Sequence, residues 1–148
     1  MSPATVAPQS PAIVRSISFR PTHRARWGGR VLSAIPVLFM AFDTAIKFSQ
    51  IQPVTESFAR LGYNVDVAPV IGILELICLG AYLVPRTAVL GAVLLTGFLG
   101  GAIATHVRVA DPLFSHILFP TYIAALLWSG LYLRDTRVRE IFRTTHND

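Results

Sequence analysis

The chain has 148 residues, a length that suits one domain. Apolar residues make up 53% of it, charged residues only 14%, and the mean hydropathy is +0.55. A soluble domain carries about 25% charged residues, so this supply cannot coat a water-facing surface, and the composition excludes an ordinary soluble domain in favour of a chain solvated by lipid.

The net charge is +5. In a soluble protein such a balance would suggest nucleic-acid binding. Here the basic residues flank apolar blocks and form no stripe with aromatics, which points to anchoring beside a membrane and away from nucleic acid. The single cysteine, Cys78, lies inside an apolar run. One thiol makes no intrachain disulfide, CxxC pair or cysteine zinc site. That disfavours a four-helix thiol oxidoreductase working through paired cysteines, and Cys78 is expected to be a buried small hydrophobe.

Residues 1–26 are rich in Pro, Ser, Ala and Arg and have no apolar run. They are expected to form a flexible or interfacial basic arm. They do not match a signal peptide, because no short apolar core leads to a small-residue cleavage site. Four apolar blocks follow at about 31–48, 67–84, 87–105 and 117–133, each of 17 to 19 residues. That is near the short end of what spans a hydrocarbon core of about 30 Å. Blocks two, three and four lack the continuous polar face of a water-soluble bundle. The expected fold is therefore all-α: an antiparallel bundle of four transmembrane helices over residues 27–135, followed by a charged tail at 136–148.

The long connection after block one is polar, and its TESFARLGY segment is expected to form a short interfacial helix. Pro85 and Arg86 make a tight turn between blocks two and three, and Asp111-Pro112 lies in the short loop before block four. With four spans, both termini and the Pro85-Arg86 turn share one side, which carries ten Lys and Arg residues against three (Lys47, Arg60 and Arg108) on the other. The excess of positive charge predicts that both termini are cytoplasmic. Trp27, Tyr82, Trp128 and Tyr132 fall near that side, as an aromatic belt would.

Block three holds Gly97, Gly100 and Gly101, with Gly97 and Gly101 spaced as GxxxG. Small residues on one face let helix backbones approach in lipid. The expectation is packing against a neighbour in the same bundle, with homodimerisation as the alternative. Pro36 and Pro120 lie inside blocks one and four, where proline can kink a membrane helix.

Ionisable residues inside the blocks carry most of the functional information, because such groups in hydrocarbon face the bundle interior and have partners. Asp43 and Lys47 lie four apart on block one, so the two can pair. Glu75 lies inside block two. His106 and Arg108 end block three, and His116 opens block four. Asp43, Lys47, Glu75, His106, Arg108 and His116 are therefore expected to converge on the outer half of the bundle as a ligand-binding group. Glu75 and His106 are the candidate catalytic pair, able to exchange protons with a quinone or another small apolar substrate. The structural alternative is a helix salt bridge between Asp43 and Lys47, with Glu75 bonded to His106 or Arg108 to hold helix register. Two histidines and a carboxylate could bind a metal, but no HxH or HxxxH spacing supports it and no metal site is expected. Haem on His106 and His116 is disfavoured, since both lie at helix ends in one loop.

The stretches GILEL, YLVPRTAVLGAVLLTGFLGGAIATHVRV, DPLFSHILFP and LLWSGLYLRD, with KFSQIQPVTESFARLGY before them, resemble the DoxX-like family over roughly residues 30 to 140. The matching motif residues include Glu75, Pro85, Arg86, Gly97, Gly100, Gly101, His106 and Arg108. The resemblance implies a small bacterial four-helix protein of the cytoplasmic membrane, most members having no assigned activity. The family's name comes from a subunit linked to thiosulfate:quinone oxidoreduction in an archaeon. A mycobacterial relative is associated with a membrane oxidoreductase complex. These members raise quinone or redox-complex roles here, with a membrane redox partner or a homo-oligomer as the implied assembly. A non-catalytic subunit that docks a partner is the second hypothesis. A small transporter is the third, although no inverted repeat is visible in the four spans.

Overall fold

The computed structural model describes residues 23–144; of the expected arm at 1–26, residues 1–22 lie outside the described residues and 23–26 open the first helix, and residues 145–148 of the expected tail lie outside as well. Among the described residues the chain is helical and has no strand. The order is α1 (His23–Ser49), α2 (Gln52–Arg60), a 3-10 turn (Val65–Val67), α3 (Ala68–Leu83), α4 (Ala88–Arg108), a π-helical turn (Leu113–Ile117), α5 (Phe119–Arg134) and α6 (Thr136–Thr144). Four segments are long and apolar enough to cross a membrane: Trp27–Ser49, Val65–Leu83, Ala88–Arg108 and Leu113–Arg134. Each reaches a few residues beyond its apolar block at one end or both, because helical bonding continues into flanking polar residues.

The spans pack in a ring, α1 against α3 and α5, and α4 against α3 and α5. Within an 18-residue apolar stretch of each span, only 22 to 33% is buried. Leu38, Phe42, Val70, Ile77 and Leu90 stay more than half exposed. A soluble monomer rarely leaves apolar patches of that extent, whereas lipid solvates them without cost. The core runs down the ring axis through Met40, Leu79, Tyr82, Leu95, Leu127 and Leu131, and Cys78 is buried in it as expected.

Tyr82 does not join an aromatic belt. Its ring is fully buried, and its hydroxyl donates to the Leu127 carbonyl (2.8 Å) and accepts from Ser33 Oγ (3.0 Å). The phenol thereby ties α3 to α5 and α1 at one level. Trp27 and Tyr132 remain exposed.

The glycines that matter for packing are also not those of the GxxxG pair. A methyl at Gly97, Gly100 or Gly101 would meet nothing within 4 Å, so none of the three packs within the chain. The close approaches lie elsewhere. At Gly91 a methyl would overlap the backbone of Ala81 and Tyr82, and at Gly29 it would lie 2.9 Å from the Gly130 carbonyl oxygen. These bring α4 onto α3 and α1 onto α5.

Pro36 lies inside α1. Pro120 instead sits in the first turn of α5, where a missing N–H costs nothing. The chain before it takes the π-helical turn, with Leu118 N–H donating to the Leu113 carbonyl (2.8 Å). The connection after α1 contains the expected short helix, α2, which covers Val54 and Phe58 against Ala68. The tail forms one more helix, α6, whose Val138 reaches the main core.

Candidate functional site

The expected six-residue convergence separates into two groups. The first lies between α1 and α3. Lys47 pairs with Asp43 one turn earlier on α1 and with Glu75 Oε2 on α3 at 2.7 Å. The i,i+4 spacing stacks Asp43 and Lys47 on one helix face, and Glu75 meets them from the neighbouring helix. Glu75 is 1% exposed, the Lys47 side chain 12% and Asp43 34%. One ammonium thus serves two carboxylates, and the carboxylate facing away from the core is the more open. The third span wall contributes Phe98 of α4, whose ring centroid lies 5.8 Å from Lys47 Nζ. Thr44 Oγ1 is buried beside Glu75 but makes no hydrogen bond among the described residues.

Depth also changes. Span two begins at Val65, so Glu75 lies about 15 Å along it at ~1.5 Å per residue, near its middle.

The second group closes the end of the bundle where α2 lies. Ala110, with a left-handed φ of 53°, ends α4 and turns the chain back. Asp111 N–H then donates to the His106 carbonyl (3.1 Å), while Asp111 Oδ2 meets His106 Nδ1 at 2.6 Å. Arg60 of α2 donates to Asp111 Oδ1 at 2.9 Å. The hydrogen bond from His106, assisted by the Arg60 charge, holds the Asp111 carboxyl below the usual carboxylate range. The His116 ring stands edge-on to His106 at 5.6 Å, and its Nδ1 lies 2.8 Å from Ser115 Oγ. Arg108 donates to the Leu61 carbonyl and lies 5.7 Å from the Tyr63 ring.

The expected pairing of Glu75 with His106 is therefore not formed. Glu75 takes Lys47, and His106 takes Asp111. Two partners were missed. Asp111 sits in a loop, where no helical period relates it to His106. Arg60 reaches it only because α2 folds back over the bundle mouth.

A comparison with known families matches residues 31–130 to the DoxX-like family. The chain belongs to the DoxX-like family. No curated protein and no solved structure matches it. The match to the DoxX-like family spans both polar groups, and all of Asp43, Lys47 and Glu75 lie well within it. As a DoxX-like protein with four apolar spans, it is a multi-pass membrane protein.

Proposed function

We propose that this DoxX-like protein binds a small quinone-like ring, or a similar apolar molecule bearing hydrogen-bonding oxygens, at the Asp43–Lys47–Glu75 group, as part of a membrane redox system. The observation that carries this reading is the shared ammonium. A lysine ammonium has three donors, and Lys47 spends two on Asp43 and Glu75. The third serves a ligand carbonyl, with Phe98 as an apolar wall and Thr44 Oγ1 as a second polar contact. Two carboxylates against one ammonium leave one negative charge over. The unbalanced carboxylate is the group placed to exchange a proton with a ligand oxygen. The chain resides in the bacterial cytoplasmic membrane with both termini inside, on the strength of the ten-to-three distribution of Lys and Arg.

The test is binding of short-chain ubiquinone and menaquinone analogues to the purified protein in detergent, measured by equilibrium dialysis. Glu75→Gln and Lys47→Met should each weaken binding at least tenfold while circular dichroism stays unchanged. No binding by the native chain, or equal binding by both variants, refutes the reading.

A second reading, docking of a partner helix, is favoured by the open Gly97, Gly100 and Gly101 face. It predicts that Gly97→Leu releases a co-purifying partner and leaves quinone binding intact.

A further inference from the structure

A pocket of about 230 Å³ opens at the opposite end of the bundle, where α1 begins and α5 finishes. Its wall includes Arg30 of α1, Pro85 and Ala88 at the α3–α4 turn, and Arg134 with Asp135 at the end of α5. Its volume is below the roughly 300–1,000 Å³ of pockets that engulf a whole drug-sized ligand, so it suits a compact polar group.

The charge in that wall is uncompensated. Asp135 is already taken: Arg137 meets Asp135 Oδ2 at 3.2 Å, and the Arg137 N–H donates to Asp135 Oδ1 at 2.9 Å. Arg137 also donates to the Pro85 carbonyl at 2.6 Å, which fixes it on the turn. Among the described residues no carboxylate pairs with Arg30 or Arg134. Arg134 is held in place, its guanidinium 4.6 Å from the Tyr82 ring centroid and one amine donating to the Tyr82 carbonyl at 3.3 Å. Yet its Nε is buried with no acceptor. Ala88 adds the first turn of α4, a 21-residue helix whose Thr87 offers no side-chain cap, so the positive end of that helix borders the same space.

We infer that this pocket is a binding site for a phosphate group, with Arg30 and Arg134 as its two cationic partners and an anionic phospholipid headgroup as its source. Arginine's planar fork suits phosphate oxygens, and Arg30 and Arg134 share the wall of this one pocket. The pocket lies at a span end, near the exposed Trp27 and Tyr132, at the level where headgroups sit. This site is separate from the Asp43–Lys47–Glu75 group and does not depend on its function.

The experiment uses the full chain in a neutral detergent, titrated in parallel with dioleoylphosphatidylglycerol, dioleoylphosphatidylcholine and inorganic phosphate. Retained lipid is read by native mass spectrometry and the thermal midpoint by tryptophan fluorescence. Phosphatidylglycerol should be retained and should raise the midpoint. Arg30→Gln and Arg134→Gln should each weaken its retention about tenfold, the worth of one charge-assisted hydrogen bond. Arg86→Gln, on the exposed turn outside the pocket wall, should change nothing. Inorganic phosphate that displaces the lipid supports the same site with a free ion as an equal source, and phosphate that does not assigns the source to lipid. Equal retention of both lipids by the native chain and both variants, or retention of neither, overturns the inference. Arg30 is exposed and bonded to no described residue, so Arg30→Gln keeps the test valid even where Arg134→Gln fails to fold.

Discussion

Replacing Lys47 by Met removes the cation that Asp43 and Glu75 share and keeps most of its apolar stem. At 2.7 Å from Glu75, the gross attraction is about 6 kcal/mol at an effective dielectric of ~20. Desolvation of both ions offsets much of that. The net loss on stripping one partner from a buried pair is about 3–5 kcal/mol. Glu75 is 1% exposed and Asp43 34%, so one stranded carboxylate stays buried and the other does not, and the expected loss is about 3 kcal/mol. The readout is reversible unfolding in mixed micelles by titration with sodium dodecyl sulfate, followed by far-ultraviolet circular dichroism. Glu75→Gln in the Lys47→Met background removes the stranded carboxylate as well. The double variant should then cost at least about 1 kcal/mol less than the sum of the two singles, since contacting residues are not additive. A Lys47→Met protein within ~1 kcal/mol of native, or strict additivity, refutes the claim that this network is a buried, coupled unit.

Four further outcomes are expected. Gly91→Ala forces a methyl into the Tyr82 backbone and should cost about 1–3 kcal/mol or more, whereas Gly97→Ala meets open space and should stabilise slightly, by up to about 1 kcal/mol of helix propensity; equal effects at the two sites in the same unfolding assay contradict the packing described. Tyr82→Phe leaves Ser33 Oγ without its buried acceptor and should cost about 1 kcal/mol, read as a lowered midpoint in detergent. Because the Asp111 carboxyl is held below its usual range, its contribution is fully present above the unfolded value of ~3.9 and is lost as pH falls through the lower folded value. The native midpoint should therefore fall on acidification below about pH 4, and Asp111→Asn should lie lower at neutral pH and lack that component; identical pH profiles are the refuting result. A C-terminal reporter active only in the cytoplasm should be functional if the termini lie inside, and an inactive, exported one reverses the proposed topology.

The spans were legible because hydropathy over a membrane-thick window is a one-dimensional signal. The Asp43–Lys47 pair was legible because i,i+4 spacing on one helix fixes a contact without knowledge of the fold. What stayed hidden depended on contacts between elements. Tyr82 sits at a span end, where an aromatic belt is the default, but the α1–α5 approach at Gly29 and Gly130 brings the hydroxyl of Ser33 and the Leu127 carbonyl to its phenol. GxxxG spacing states that a face is small, not which surface covers it, and here the helix turns Gly91 inward and Gly97 outward. The helical tail was missed because α6 has few apolar residues, and one of them, Val138, docks on the core.

The division of the polar residues into two groups bears on how a ligand could reach the inner one. His106, Asp111 and Arg60 tie the α4–α5 connection to α2, and Arg108 ties α4 to the residue after it. These contacts converge on Asp111, whose side chain is only 6% exposed, while its partners are more open, His106 at 21% and Arg60 at 51%. They close the mouth of the bundle, and the Asp43–Lys47–Glu75 group lies apart from them between α1 and α3. Under the proposed reading, a ligand that enters from that end passes these contacts. Asp43, the most exposed of the three inner groups, also leaves a second route, sideways from the lipid. The two routes separate by experiment: Asp111→Asn should speed quinone-analogue exchange several-fold if entry is through the mouth, and should leave it unchanged if the ligand enters from the bilayer past Asp43.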